Sequence, residues 1–266
     1  MKTILCPCDF SATALNGIEF AASVARQING TITLCHVQPS IWPEAVFMEP
    51  IVEESVEVAT EKMALIEGDL KKQFGINANS INPRSTDTVE GIIGSLSENY
   101  DLIIMGTNGV DDVFQYVFGS TSFNVAKNSL CPVIVIPENY TNQIPKGVIY
   151  LHRENINPEL DILVPLWWSQ IMNIPFGIWI SPSGDEPTDK QLIRSIKEEL
   201  KAGSPENLIS FVEVQSVSEQ ITTRVEWMRA LAINRHYNSG KNSGISNLRK
   251  ITTTGDTPLL IFGVEN

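Results

Sequence analysis

The stretch DLIIMGTNG, residues 101–109, joins an uninterrupted apolar run to a turn that contains two glycines. Leu102–Met105 has the continuous aliphatic character of a strand that is buried on both faces of a parallel sheet. Pro132–Ile136, with the sequence PVIVI, has the same character. We therefore predict that both runs are inner strands of an α/β protein.

Short β-rich runs alternate with longer helical patterns on the amino-terminal side of this stretch. The sequence predicts strands at 3–7, 31–37 and 76–81, helices at 14–27, 51–74 and 88–99, and a polar turn at 82–87. The second helix has apolar residues at three- and four-residue steps, and Gly75 is suited to end it. With the two apolar strands, the order is β-α-β-α-β-α-β-α-β, the rhythm of a parallel sheet.

The pattern begins again after a polar linker, predicted at 137–146, which contains two prolines. Residues 146–150 and 175–181 lie over 2–6 and 31–37 at a displacement of 144, whereas 230–234 lie over 102–106 at 128 and 258–262 over 132–136 at 126. The order is preserved although the middle is shortened. We predict a duplicated domain rather than two unrelated ones, with copies at 1–140 and 146–266.

Charge excludes one class of partner. The 266 residues include 19 Lys and Arg against 31 Asp and Glu, a formal charge of −12. Residues 1–145 hold 7 basic and 17 acidic residues, and residues 146–266 hold 12 and 14, so the acidity belongs to the first half. Because nucleic-acid binding needs clustered Lys and Arg, we predict no nucleic-acid partner.

The sequence also indicates a compartment. Pro7 and Asp9 interrupt the first residues before an apolar core of signal-peptide length can form. The most apolar stretch, 160–180, contains Asp161 and two prolines, which argues against a membrane span. Four cysteines without secretory context are expected to be reduced thiols. We predict a cytoplasmic protein with no membrane segment.

Glycines and hydroxyls follow the strand at 102–105 in a spacing that suits phosphate. Gly106 and Gly109 can take positive φ and have no Cβ to block a ligand, and Gly119 precedes a helix whose free N–H groups favour an anion. Residues 120–122, Ser-Thr-Ser, add hydroxyl groups at the same helix end. The alternative is that the glycines only shape a turn and Ser120 only caps a helix.

The first half resembles the universal stress protein family over nearly all of residues 1–140. The resemblance rests on ILCPCDFS at 4–11, His-Val at 36–37, the strand at 101–106 and CPVIVIP at 131–137. The spacing of Gly106, Gly109 and Gly119-Ser120 matches the G-x2-G-x9-G-[S/T] pattern of the family's ATP-binding members.

That resemblance implies an open, mostly parallel five-stranded sheet with helices on both faces. It also implies an ATP or AMP site at the carboxyl ends of the strands, where such sheets bind ligands. By matching position, the implied adenosine contacts are Pro7, Asp9 and Val37. The implied phosphate site begins at Met105 and includes Gly106, Gly109, Gly119, Ser120 and Thr121. Asp9 is instead a helix cap in the alternative interpretation.

Two features depart from the family pattern. Asp111 and Asp112 stand where relatives often have basic residues, so a triphosphate would need Mg²⁺ between it and these carboxylates. The turn at 83–87 lacks the glycine common in relatives, and Arg84 there is expected on the surface.

The second copy is expected to bind no ATP by the family mode. Arg153 stands at the position of Asp9, and Asn234 stands at that of Gly106. Relatives pair through their last strands, so Val133–Ile136 and Leu259–Phe262 are expected to meet in a pseudo-dimer within one chain. The sequence does not decide whether such chains assemble further into homo-oligomers.

Two functions from different classes remain. In the first, the protein binds ATP or AMP and changes its affinity for partners with nucleotide state, with at most slow hydrolysis because no general base is evident. In the second, it is an interaction module with a vestigial site. Cys6 and Cys8 are interpreted as core residues rather than a redox or metal pair, and no nucleophile motif accompanies His36, His152 or His236.

Overall fold

The computed structural model describes residues 2–39, 49–85, 87–107, 120–138, 140, 145–152, 158–180, 184–203, 209–214, 231–234 and 259–262. By the contacts between them, the described residues up to Tyr140 form one unit, and those from Pro145 form a second.

The first unit alternates strands and helices as predicted. Its elements are β1 (Thr3–Pro7), α1 (Ala12–Ile28), β2 (Thr31–Cys35), β3 (Gln38–Pro39), α2 (Glu49–Phe74), β4 (Ala78–Ile81), β5 (Arg84–Ser85), α3 (Val89–Leu96) with a 3₁₀ turn at Ser97–Asn99, β6 (Leu102–Thr107), α4 (Ser120–Asn128) and β7 (Val133–Pro137). The prediction of a polar turn at 82–87 was wrong in part, because the short strand β5 lies within this segment and pairs in parallel with β3.

Five of these strands form a parallel sheet in the order β7-β6-β1-β2-β4. The chain leaves β1 toward β2 on one side, whereas β6 pairs with β1 on the other side. The order therefore reverses between β1 and β6. A crevice opens at the carboxyl ends of two such strands, where open α/β sheets usually bind ligands.

Helices cover both faces of this sheet. A Cβ on Gly106 would lie 1.9 Å from the carbonyl oxygen of Thr13, so position 106 faces α1. The hydroxyl of the next residue, Thr107, accepts a hydrogen bond from Ser122 of α4. Because successive strand residues point to opposite faces, α1 and α4 lie on opposite sides of β6. The predicted α/β class is confirmed.

The core of the first unit lies on both sides of the inner strands. Ile103 and Ile104 are neighbours in β6 and therefore face opposite sides, and both are fully buried. Ile4 and Leu5 in β1 are equally buried. Burial of each such side chain stabilises the fold by about 1.5–3 kcal/mol.

The second unit has a parallel sheet of its own. Its elements are β8 (Val148–His152), α5 (Pro158–Met172), β9 (Phe176–Ile180), α6 (Glu186–Gly203), β10 (Ile209–Val214), β11 (Leu231–Asn234) and β12 (Leu259–Phe262). Parallel pairing gives the order β10-β9-β8-β11-β12. The four predicted strands are present, but β10 was missed because it lies in the shortened middle of the second copy.

The apolar stretch at 160–180 divides between most of α5 and the whole of β9. In the part of the chain that the structure describes, no helix is both long enough and apolar enough to cross a membrane.

Candidate functional site

A pocket of about 270 Å³ opens at the carboxyl ends of β1, β2 and β6. Its lining consists of Pro7, Cys8, Asp9, Ser11, Thr13, Ala14, Cys35, His36, Val37, Val89, Met105, Gly106, Thr107, Thr121 and Ser122. The pocket therefore lies at the reversal of strand order between β1 and β6.

The structure brings six of the nine predicted site residues together around this pocket: Pro7, Asp9, Val37, Met105, Gly106 and Thr121. Gly109 and Gly119 lie outside the described residues, as do Asp111 and Asp112. Ser120 is the first residue of α4, and its side chain is not described. Arg84 is exposed on β5, as expected, and does not line the pocket.

Asp9 organises the turn that leads from β1 into α1. Its Oδ1 accepts hydrogen bonds from the amide of Ser11 at 3.0 Å and from the Ser11 hydroxyl at 2.5 Å. The Ser11 Oγ in turn accepts from the amide of Ala14, so that Ser11 is the N-cap of α1. Asp9 is exposed and supports the cap without being the cap residue.

Gly106 is required by packing rather than by a positive φ. The freedom to take a positive φ, which the sequence offers at this glycine, is not used, because Gly106 lies in β6 and is not among the glycines with positive φ. The absent Cβ instead admits the carbonyl of Thr13, and a Cβ on Gly17 would approach the amide of Gly106 to 2.6 Å. This close approach brings the first turns of α1 against the end of β6.

Three helices begin around the pocket. Ser11, Thr13 and Ala14 belong to the start of α1, Val89 is the first residue of α3, and Thr121 and Ser122 belong to the first turn of α4. The dipole of each helix gives its start about half a positive charge, although at α1 the amides of Ser11 and Ala14 already bond the side chains of Asp9 and Ser11. The described lining contains no lysine or arginine.

His36 was passed over in the sequence because no nucleophile motif accompanies it. It lines the pocket, and its Nδ1 lies 2.8 Å from the carbonyl oxygen of Cys8. Phe10 packs against it with ring centroids 4.6 Å apart, and Lys62 Nζ lies 5.2 Å from the Phe10 ring. Sequence spacing alone gave no signal for this group of three side chains.

Two cysteines line the pocket as neutral thiols. Burial raises the pKa of the Cys8 thiol, and burial together with the neighbouring Cys8 raises the pKa of Cys35 to about 12. Cys6 is fully buried in β1, and burial raises its pKa further. Within the described residues, no group of three or more His, Cys, Asp or Glu side chains is placed to hold a metal ion.

The parallel sheet, its helices and this pocket define an α/β protein with a ligand-sized site at the reversal of strand order. The chain belongs to the universal stress protein family, because the model described as "Universal stress protein family" matches residues 1–137, more than half of the sequence.

One relative of known sequence carries the same family name, and two solved structures have a similar fold. Universal stress protein MJ0531 of Methanocaldococcus jannaschii is 22% identical over 138 residues, which are 51% of this chain and 81% of that protein. A universal stress protein from Archaeoglobus fulgidus has a TM-score of 0.74 at 18% identity and covers 99% of this chain and 97% of its own. A putative universal stress protein from Pseudomonas aeruginosa has a TM-score of 0.55 at 12% identity, with coverage of 99% and 93%. The two structures show the fold.

Proposed function

We propose that the first unit binds an adenine nucleotide, ATP or AMP, in the pocket at the ends of β1, β2 and β6. The observation that carries this proposal is the meeting of three helix starts around a cavity that has no lysine or arginine in its described lining. Helix dipoles that converge on such a cavity favour an anion there. The glycine spacing in the sequence supports a phosphate as that anion.

The adenosine would occupy the end of the pocket near β1 and β2. Pro7 and Val37 line the pocket, and the carboxylate of Asp9, which also lines it, would accept a hydrogen bond from a ribose hydroxyl. The volume of about 270 Å³ is close to the lower end of small-molecule sites, about 300 Å³. The nucleoside is thus the part that this cavity suits best.

The phosphates would lie toward β6 and α4. Gly106 lies at the end of β6, and Thr121 lies in the first turn of α4. We place the phosphates among these residues, Ser120 and the glycines at 109 and 119. Asp111 and Asp112 belong to the same segment, so Mg²⁺ would accompany a triphosphate.

Nucleotide binding would act as a switch rather than as catalysis. The lining carboxylate of Asp9 is already engaged with Ser11, so we propose at most slow ATP hydrolysis. Nucleotide state would then alter affinity for protein partners through differential binding to two conformations.

We also propose that the second unit is a degenerate copy of the first, with domains at 1–140 and 146–266. The corresponding parallel strand order of the two units supports this organisation. The last strands, β7 and β12, would pair the copies as a pseudo-dimer, with homo-oligomers as a further level of assembly. We propose a cytoplasmic location.

The test fills the pocket from its rim. Val89 lines the pocket and is 41% exposed, whereas Leu130 is 51% exposed and is not part of the lining. We expect Val89→Trp to weaken ATP–Mg²⁺ binding by about tenfold or more, because a bulky ring displaces the ligand from its pocket. Leu130→Trp is the matched control and should leave affinity unchanged in equilibrium dialysis.

Gly119→Val extends the same experiment to the proposed phosphate end. The nucleotide site would be rejected if the wild-type protein binds no nucleotide, or if neither Val89→Trp nor Gly119→Val reduces its affinity. The alternative function, an interaction module with a vestigial site, would then be favoured.

A further inference from the structure

We infer that His36 is a positioning residue that sets the geometry of the nucleoside end of the pocket. It does so by holding the Asp9 turn, residues 8–11, against the end of β2. This inference rests on the proposed function, since it assigns the part of the protein that fixes the separation of Asp9 and Val37.

His36 joins two elements that carry proposed contacts. Its backbone amide donates to the carbonyl of Ile81 at 3.0 Å, which fixes it beside β4. Its ring Nδ1 bonds the Cys8 carbonyl at 2.8 Å. Asp9 follows Cys8, and Val37 follows His36, so this one bond links the neighbours of two pocket residues.

The bond also fixes the tautomer of the ring. A carbonyl oxygen only accepts hydrogen bonds, so Nδ1 must carry the hydrogen. The neutral ring then has its lone pair on Nε2. An asparagine at position 36 can place its amide nitrogen where Nδ1 lies, whereas a glutamine places it near Nε2. Asparagine and glutamine therefore form a matched pair of substitutions.

The Asp9 turn needs this support because of its backbone. Phe10 has a φ of 65°, a left-handed conformation that bulky residues rarely adopt. Such a residue persists only where its surroundings over-determine it. The surroundings here are the bonds from Ser11 to Asp9 and the packing of the Phe10 ring against His36. The Cys8 amide also donates to the Cys35 carbonyl at 2.8 Å, so loss of the His36 bond would leave the start of the turn with one hydrogen bond to this part of the sheet in place of two.

The experiment compares wild type, His36→Asn and His36→Gln in the full chain. We expect His36→Asn to keep ATP affinity within about threefold and His36→Gln to weaken it about tenfold, the effect of one lost hydrogen bond. Amide hydrogen exchange of residues 8–11 should be faster in His36→Gln than in His36→Asn. Nitrogen-15 shifts of the wild-type ring should report hydrogen on Nδ1.

Each readout can overturn the inference. A ring with hydrogen on Nε2 only, equal exchange in the two variants, or faster exchange with unchanged ATP affinity would each contradict it. If the wild type binds no adenine nucleotide, the proposed function fails, and the exchange and tautomer measurements alone decide whether His36 positions the turn. Melting temperatures measured for all three proteins separate a positioning effect from a loss of folding.

Discussion

The two units have sheets of the same topology but differ where their strands end. The first has the order β7-β6-β1-β2-β4, and the second has the corresponding order β12-β11-β8-β9-β10. The apolar strands suffice for this topology in both. The residues just beyond the strands differ, as Asp9 corresponds to Arg153 and Gly106 to Asn234. Topology and site are therefore specified by separate sets of residues.

The contact between the first helix and the inner strand shows the same difference. In the first unit, Gly17 and Gly106 let α1 lie directly on β6. At the displacements found in the sequence, 144 and 128, their counterparts are Asp161 and Asn234. In the second unit, α5 packs on β8 and β9. A pair of glycines thus accounts for the convergence of a helix start and a strand end in one unit.

The largest expected effect comes from adding a methyl group at this contact. Gly106→Ala places a Cβ 1.9 Å from the carbonyl oxygen of Thr13, which backbone atoms cannot accommodate without moving. We expect destabilisation by about 3 kcal/mol or more, at the upper end of overpacking. Urea unfolding monitored by circular dichroism measures it.

Gly68→Ala is the control for that prediction, because nothing lies within 4 Å of its added Cβ in α2. This substitution should stabilise the protein by about 0.5–1 kcal/mol through helix propensity. If Gly106→Ala and Gly68→Ala changed the free energy of unfolding equally, the close contact of Gly106 with α1 would not be the feature that distinguishes the first unit from the second.

A smaller effect is expected at Asp9, which follows β1, and none at Arg153, the corresponding position in the second copy. Asp9→Asn keeps an acceptor for Ser11 but removes the charge, so we expect about a tenfold loss of ATP affinity, about 1.4 kcal/mol. Asp9→Ala should lose more, because the turn is also released. Isothermal titration calorimetry checks both, and Arg153→Ala should leave affinity unchanged. A loss with Arg153→Ala would instead place binding in the second unit.

The smallest effect concerns the amino ends of the inner strands β1 and β6, opposite the pocket. Asp101 Oδ2 accepts from the amides of Lys2 and Thr3 and from the Thr3 hydroxyl. The hydrogen bond from the Lys2 amide leads the causes that lower the pKa of Asp101 below its usual 3.8, and those from Thr3 add to it. The second half has Arg229 at the corresponding position, which cannot accept these bonds.

Because the folded pKa is lowered, the stabilisation from Asp101 is complete above the unfolded pKa and is lost as pH falls through the folded pKa. Asp101→Asn should therefore cost about 1 kcal/mol at pH 7, the scale of a hydrogen bond. The difference from wild type should shrink below about pH 4, where the unfolded carboxyl takes up its proton. Thermal unfolding between pH 2 and 7 tests this, and a constant difference would contradict it.

Most of the fold could be predicted because buried parallel strands are continuous apolar runs. Leu102–Met105 and Pro132–Ile136 are such runs, and both are strands in the structure. The short β3 and β5 could not be predicted, because two-residue strands have no periodicity. β10 was missed because the sequence match between the copies breaks down there.

The site could be predicted only in part. Pro7, Asp9 and Gly106 follow strand ends in sequence, so local pattern and family resemblance found them. The role of Gly106 depends on Thr13, and that of His36 depends on Cys8 and Phe10, which are close only after folding. Such contacts have no signature in local sequence.

The two thiols of Cys8 and Cys35 give the pocket wall a particular chemical character. With their pKa values raised by burial, they stay protonated near neutral pH and add no negative charge. Sulfur is polarizable and makes favourable contacts with aromatic rings. We therefore expect a ligand that contains both a flat heterocycle and a sugar to place the heterocycle against this wall.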